Sequence, residues 1–157
     1  MSSALVTYLH DHLSAATAAK EILKSLIENA PDPTLADYAS ALLSEIVEEG
    51  KSVEEIKREL GGSSGVIKHA ASLVTAQLAK AKLHNMKSPL GIFEAIEALM
   101  LGVTGKRALW IILEQLSRTD ARLHGHDYAR FIKRSTEQIL ELEEKRVTAA
   151  FLAFTTT

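Results

Sequence analysis

The sequence predicts an all-α protein: a bundle of four long helices, with a shorter helix between the second and the third. Three observations predict it. Apolar residues recur at three- and four-residue steps along four long stretches. Period-two alternation is absent, and no Asn-Gly or Asp-Gly pair marks a hairpin. Each long stretch would make a helix of about 40 Å, and matched helices joined by short links form bundles.

At 157 residues the chain suits one domain, residues 1–157, large enough to bury a core without staples. Hydrophobic residues make up 46% and charged residues 24%, an ordinary globular balance that argues against disorder. A net charge of -2 argues against nucleic acid as a partner, since such surfaces read basic. There is no cysteine, which removes disulfides, thiolate metal sites and cysteine nucleophiles and fits a reducing compartment. The opening MSSALVTYLHDHL has neither a basic lead nor a long apolar run. Glu94, Glu97, Lys106 and Arg107 break the most apolar segment well short of roughly 20 clean residues. The expectation is a cytoplasmic protein with no secretory signal and no membrane span.

The first helix is expected over about 3–28. Leu5, Leu9, Ala16, Leu23 and Leu26 form its stripe, and Ala15, Ala16, Ala18 and Ala19 let a neighbour approach closely. Pro31-Asp32-Pro33 ends it in a stiff, short turn, so helices one and two should be antiparallel neighbours. Thr34 reads as the next N-cap, with Asp37 three residues on as an imperfect capping box. The second helix runs to about Leu60 on the stripe Leu35, Ala39, Leu42, Ile46, Val53, Ile56 and Leu60. Gly61-Gly62-Ser63-Ser64-Gly65 is a break, and a shorter helix is expected over 66–84 with Ile67, Ala70, Leu73, Val74, Ala81 and Leu83 on its apolar side. Ser88 then caps the central helix and Pro89 takes its first position, where a missing N–H costs nothing. This helix, to about Ser117, holds the sole tryptophan, Trp110. Thr119-Asp120 opens the last segment. A helix follows from about Asp127 to Phe154 on the stripe Tyr128, Phe131, Ile132, Ser135, Ile139, Leu142, Arg146, Ala149 and Ala153. The β-branched TTT end is expected to leave it.

The core stripes carry acids. At about 100° per residue, Leu90, Phe93, Met100, Leu101, Ile111 and Ile112 of the central helix fall on one wide arc, with Glu97 inside it and Glu94 near its edge. Trp110, Val103 and Leu99 lie nearly opposite. This phasing puts them outside the bundle axis, to be covered by the 66–84 helix or by a second subunit, and a homodimer through that face is the expectation. On the second helix Glu49 sits one turn from Ile46 and Val53, with Glu45 one turn before it. Gln138 and Glu141 flank Ile139 and Leu142 on the last helix, and His12 lies between Leu9 and Ala16 on the first. A buried carboxylate must be neutralised, paired with a cation or bound to metal. Arg107 and Arg146 are the candidate cations.

Oxygen or nitrogen groups thus stand on all four long helices. In that, in its helix lengths and in the long connection between helices two and three, the chain resembles the ferritin-like superfamily over its whole length. The resemblance implies a bundle with 66–84 as a crossover helix, the preferred order, and the rise per residue then sets Glu97 level with Glu45 and Glu141; with that helix across one end, the bundle would run up-down-up-down and Glu97 would fall near His12, Glu49 and Glu144. It also implies two metal ions on the axis, where two helices give a Glu each and two give Glu-x-x-His. No Glu-x-x-His occurs here. Glu-x-x-Glu stands in its place at Glu45/Glu48, Glu94/Glu97 and Glu141/Glu144, so the chain looks more like bacterial branches lacking the usual motifs than like an iron-storage ferritin. The implied donors are Glu45, Glu49, Glu94, Glu97, Glu141 and His12. The implied ion is iron or manganese, which carboxylate and imidazole both suit. A stress-related role follows from the resemblance alone.

Other signals carry less. His10-Asp11-His12 and His124-Gly125-His126-Asp127 read as solvated helix starts, and Gly102 and Gly105 as close helix packing. Lys106-Arg107 is too short for a nucleic-acid patch, and no nucleophile elbow marks a hydrolase. No catalytic residue is read. The rival to metal binding is a non-catalytic helical interaction or oligomerisation module, its core acids salt-bridged to Arg107 or Arg146.

Overall fold

A computed structural model of the chain describes residues 3–62 and 85–155. They form α1 (Ser3–Asn29), α2 (Pro33–Glu59), α3 (Pro89–Ser117) and α4 (Tyr128–Thr155), with a 3-10 turn at Ala121–Leu123. The all-α expectation holds, with no strand among the described residues. No helix among them is long and apolar enough to cross a membrane. The helix expected over 66–84 lies outside the described residues.

Local chemistry sets the boundaries. Asp32, not Thr34, caps α2: its carboxylate accepts the Leu35 N–H at 3.0 Å. Pro33 has no N–H to lose and starts the helix, which moves the cap two residues earlier than expected. Ser88 caps α3 as expected, accepting the Gly91 N–H at 3.1 Å. α2 ends in a Schellman motif. Gly61 takes φ 81°, and the N–H groups of Gly61 and Gly62 donate to the carbonyls of Arg58 and Lys57, both at 2.9 Å.

Cross-helix contacts fix the chain directions. Along α3, Glu97, Lys106 and Arg107 meet Arg146, Gln138 and Thr136 of α4, so the two are antiparallel. Along α2, Glu45, Glu48 and Glu59 meet Gln138, Arg130 and His126, so α2 is also antiparallel to α4. α2 and α3 therefore run parallel. Leu60 packs against the cluster that holds Leu9, Leu113 and Leu123, whereas Met86 packs against the one that holds Leu26, Leu35 and Ile92. The chain thus leaves α2 at one end of the bundle and enters α3 at the other.

The buried stripes follow a three–four alternation, the spacing of side-by-side packed helices. On α2 it reads Leu35, Ala39, Leu42, Ile46, Glu49, Val53, Ile56, all buried. On α3 it reads Ile92, Ile96, Leu99, Val103, Lys106, Trp110, Leu113, with only Lys106 partly open. This reverses the expected phase of α3. Trp110, Leu99 and Val103 are 0%, 1% and 2% exposed, whereas Leu90, Leu101 and Ile112 are 43%, 45% and 46% exposed. The Trp110 face is bundle interior, so it cannot be the dimer face expected of it. Apolar residues surround α3 so fully that periodicity leaves its phase open. Packing settles it: the flank carrying Gly102 and Gly105 faces α1, where the ideal Cβ position of Gly105 lies 4.0 Å from His12. Trp110 stacks on Phe131 at 4.4 Å between ring centroids.

A Cβ on Gly91 would overlap the Asn85 carbonyl, a backbone atom that cannot swing away. Gly91→Ala should therefore cost about 1–3 kcal/mol, the usual penalty of overpacking, and lower the denaturant midpoint at unchanged slope.

Candidate functional site

The apolar core falls into two clusters. One contains Ala19, Leu23, Ile46, Leu99 and Val103; the other contains Leu9, Val53, Leu109, Trp110 and Phe131. Between them lies a polar layer to which each helix contributes from its inner stripe: His12 from α1, Glu49 from α2, Lys106 from α3, and Ser135 and Gln138 from α4.

Glu49 is the hub and is 1% exposed. Its Oε2 lies 2.8 Å from the Lys106 ammonium and accepts the Trp110 indole N–H at 3.1 Å. Lys106 also donates to Gln138 Oε1 at 2.6 Å, and Gln138 Nε2 donates to Glu45 Oε2 at 2.6 Å. Two carboxylates, an ammonium and two neutral donors thus form one network from α2 through α3 and α4 and back to α2. Burial pulls the Lys106 pKa below its ordinary value, and the Glu49 charge opposes that shift. At the rim, Arg134 lies 2.9 Å from Glu48 and 3.8 Å from Glu49 Oε1, and Arg130 lies 2.6 Å from Glu48. The hydrogen bond from Arg134 holds the Glu48 carboxyl below its ordinary range.

A cavity of about 50 Å³ adjoins the layer between α1, α2 and α3. His12, Glu49 and Lys106 line it beside Leu99, Val103 and Trp110, and Ala15, Ala16, Ala19, Gly50 and Gly102 leave the space. It has room for on the order of three water molecules. His12 stands edge-on to Tyr8 at 4.6 Å, and burial lowers its pKa from the ordinary 6.5, against a smaller opposing effect of Asp11.

The expected metal donors divide into separate neighbourhoods. Glu45, Glu49 and His12 belong to the layer or its rim. Glu97 is half-exposed and sits 3.1 Å from Arg146, which also holds Glu143 at 2.8 Å. Glu97 therefore stands level with Arg146, not with Glu45 and Glu141 as expected. Gln138, which meets Glu45, lies about 12 Å away along α4. Glu141 lies near Tyr38, whose hydroxyl pKa is raised first by burial and then by the charges of Glu141 and Glu45. Glu94 is half-buried one turn before Glu97. Among the described residues, no three His, Asp or Glu side chains are placed to hold a metal ion. Of the two expected cations, Arg146 does pair with Glu97, whereas Arg107 donates to Thr136 at 2.8 Å. His124 and His126 meet the Ser117 carbonyl and Glu59 at 2.8 and 3.1 Å.

Sequence reasoning passed over Lys106 as a core residue, the Trp110 N–H as a donor, and Arg134. The missed signal is spacing. Lys106 fills the gap between Val103 and Trp110 in the three–four stripe, just as Glu49 fills the gap between Ile46 and Val53. No protein-family model matches the chain, and no curated protein or solved structure matches it.

Removing one partner of a buried pair strands the other. Lys106→Met should cost about 3 kcal/mol in denaturant unfolding. The double variant Glu49→Gln/Lys106→Met should recover most of that loss, since the new amide oxygen would still accept from the Trp110 indole. Burial of His12 gives a pH effect of definite sign. Its folded pKa is below the unfolded 6.5, so the unfolded chain binds more protons in that window. The stability contribution is present above 6.5 and is lost as pH falls through the folded value. Unfolding at about pH 7 and about pH 5 should show a smaller drop in His12→Phe than in the parent chain.

Proposed function

We propose that the chain is a ferritin-like four-helix bundle serving as a non-catalytic interaction module, its core acids acting as ion-pair partners. One observation carries the reading: the Lys106 ammonium lies 2.8 Å from Glu49, the most buried carboxylate of the polar layer. A metal on the axis needs carboxylate oxygens that converge on it, with further donors around them. Here the innermost carboxylate already meets a cation and an indole N–H, and Glu97 meets a guanidinium. The donors named by the resemblance do not converge, so no chemical step is assigned to a metal.

The ferritin-like part of the reading is supported by helix order. α2 and α3 run parallel, the order that a crossover helix over 66–84 would connect. The same order favours the second reading, iron or manganese held by Glu45, Glu49 and their neighbours in a stress-related role. Metal analysis of untagged protein separates the two. Sub-stoichiometric iron and manganese, unchanged in Glu49→Ala, is the expected result. Stoichiometric metal lost in Glu49→Ala would establish the second reading and remove the first.

A further inference from the structure

Among the described residues, most of the large apolar side chains that remain exposed lie on one side of the bundle; Tyr8 of α1 and Leu152 of α4, which faces Pro31 and Leu35 at the start of α2, are apart from it. Leu90, Leu101 and Ile112 recur at eleven-residue steps on α3, three helical turns, and so lie on one outer stripe. Leu140, Val147, Phe151 and Phe154 make the matching outer stripe of α4. The two helices are packed together, and Phe93 meets Phe154 edge-to-face at 5.1 Å, so the stripes belong to one two-helix face. Among the described residues, α2 contributes no large exposed apolar residue and α1 only Tyr8.

The face carries charges of both signs. Arg146 pairs with Glu97 and Glu143, and Lys133 with Glu137, all within one copy. A face of one sign would repel its own copy; mixed signs lessen that repulsion. Its size suits a dimer as well. α3 has 29 residues, so two adjacent helices present about 40 by 20 Å, or about 800 Å², the usual share of one partner in a stable interface.

We propose that the outer face of α3 and α4 receives a second copy of this chain, forming an isologous dimer in which each copy offers Leu90, Leu101, Ile112, Val147 and Phe151. This names the partner of the interaction module proposed above and rests on that reading.

Light scattering of the full chain tests it. The parent should elute at twice 17.1 kDa. Leu101→Glu and Phe151→Glu each place two carboxylates in the two-fold interface, and each should weaken association at least about a hundredfold, to a 17.1 kDa species. Both residues are solvent-exposed in a single copy, so helical circular dichroism and the melting profile of the dissociated chain should be preserved. A parent that stays at 17.1 kDa over the micromolar range overturns the proposal, including where it then binds a different protein. A dimer that persists in both variants overturns it too, because association then uses another face. Metal content, measured on the same samples, separates this proposal from the one before it. A dimer carrying stoichiometric metal keeps the face and removes the ion-pair reading; a metal-free monomer does the reverse.

Discussion

The buried pair of Glu49 and Lys106 is the interaction on which the rest of the bundle depends. Each group alone would be costly in an apolar core, and each is tolerable only with the other in place. The pair spans the diagonal of the bundle from α2 to α3, two helices that have little direct backbone contact. Trp110 and Gln138 add hydrogen bonds to it, and Gln138 passes on to Glu45, so the position of α4 is tied to the same point; Glu49 Oε1 accepts no hydrogen bond among the described residues and lies 3.8 Å from Arg134. A well-packed apolar layer of the same volume would be about as stable, so the pair matters more as a constraint than as a source of stability.

What it constrains is helix direction. Glu49 lies three residues beyond the midpoint of α2, and Lys106 three residues beyond the midpoint of α3. Run parallel, the two helices bring ammonium and carboxylate level. With α3 reversed, Lys106 would fall about 9 Å from that level, and the turn around Met100 would come level with Glu49 instead. His12 and Gln138, which lie before the midpoints of α1 and α4, reach the same layer because those helices run the opposite way. An up-down-up-down bundle of the same stripes would split them into two levels about 10 Å apart, His12 with Glu49 and Lys106 with Gln138, and so part the ammonium from its carboxylate. The polar layer thus selects one topology among those that the hydrophobic pattern allows, a role for which apolar side chains have too little directionality.

The sequence was most legible where helix chemistry is local. Ser88-Pro89, the proline turn and the α2 stripe all act within a few residues. It was least legible on α3. Apolar residues at nearly every azimuth give Glu97 and Trp110 equal claim to the interior, and the arc of Leu90, Phe93, Met100, Leu101, Ile111 and Ile112 that encloses Glu97 reads as the inner one. The misplacement of Glu97 follows from this. Half-exposed beside Arg146, it is a rim group; the stripe of the last helix offers that arginine as its partner, but periodicity does not tell rim from axis. Glu49 and His12 were placed on their stripes correctly because α2 and α1 have polar outer faces that fix the phase. The capping error has the same root in reverse: Thr34 is a good cap, but Pro33 makes Asp32 a better one.

The excess that hid the phase of α3 has its own explanation. A helix with one buried side needs a stripe about 100° wide, and α3 exceeds it. Its inner stripe holds Trp110 and the ammonium; one flank carries Gly102 and Gly105 for close approach to α1; the other meets α4. None of these uses Leu90, Leu101 or Ile112, which lie on the remaining side, toward solvent. Exposed apolar residues are ordinary when scattered, but these three are aligned and continue onto the aligned residues of α4. Trp110 and Leu101 therefore answer to different constraints on one helix: the first to the layer that sets the topology, the second to the outer face shared with α4.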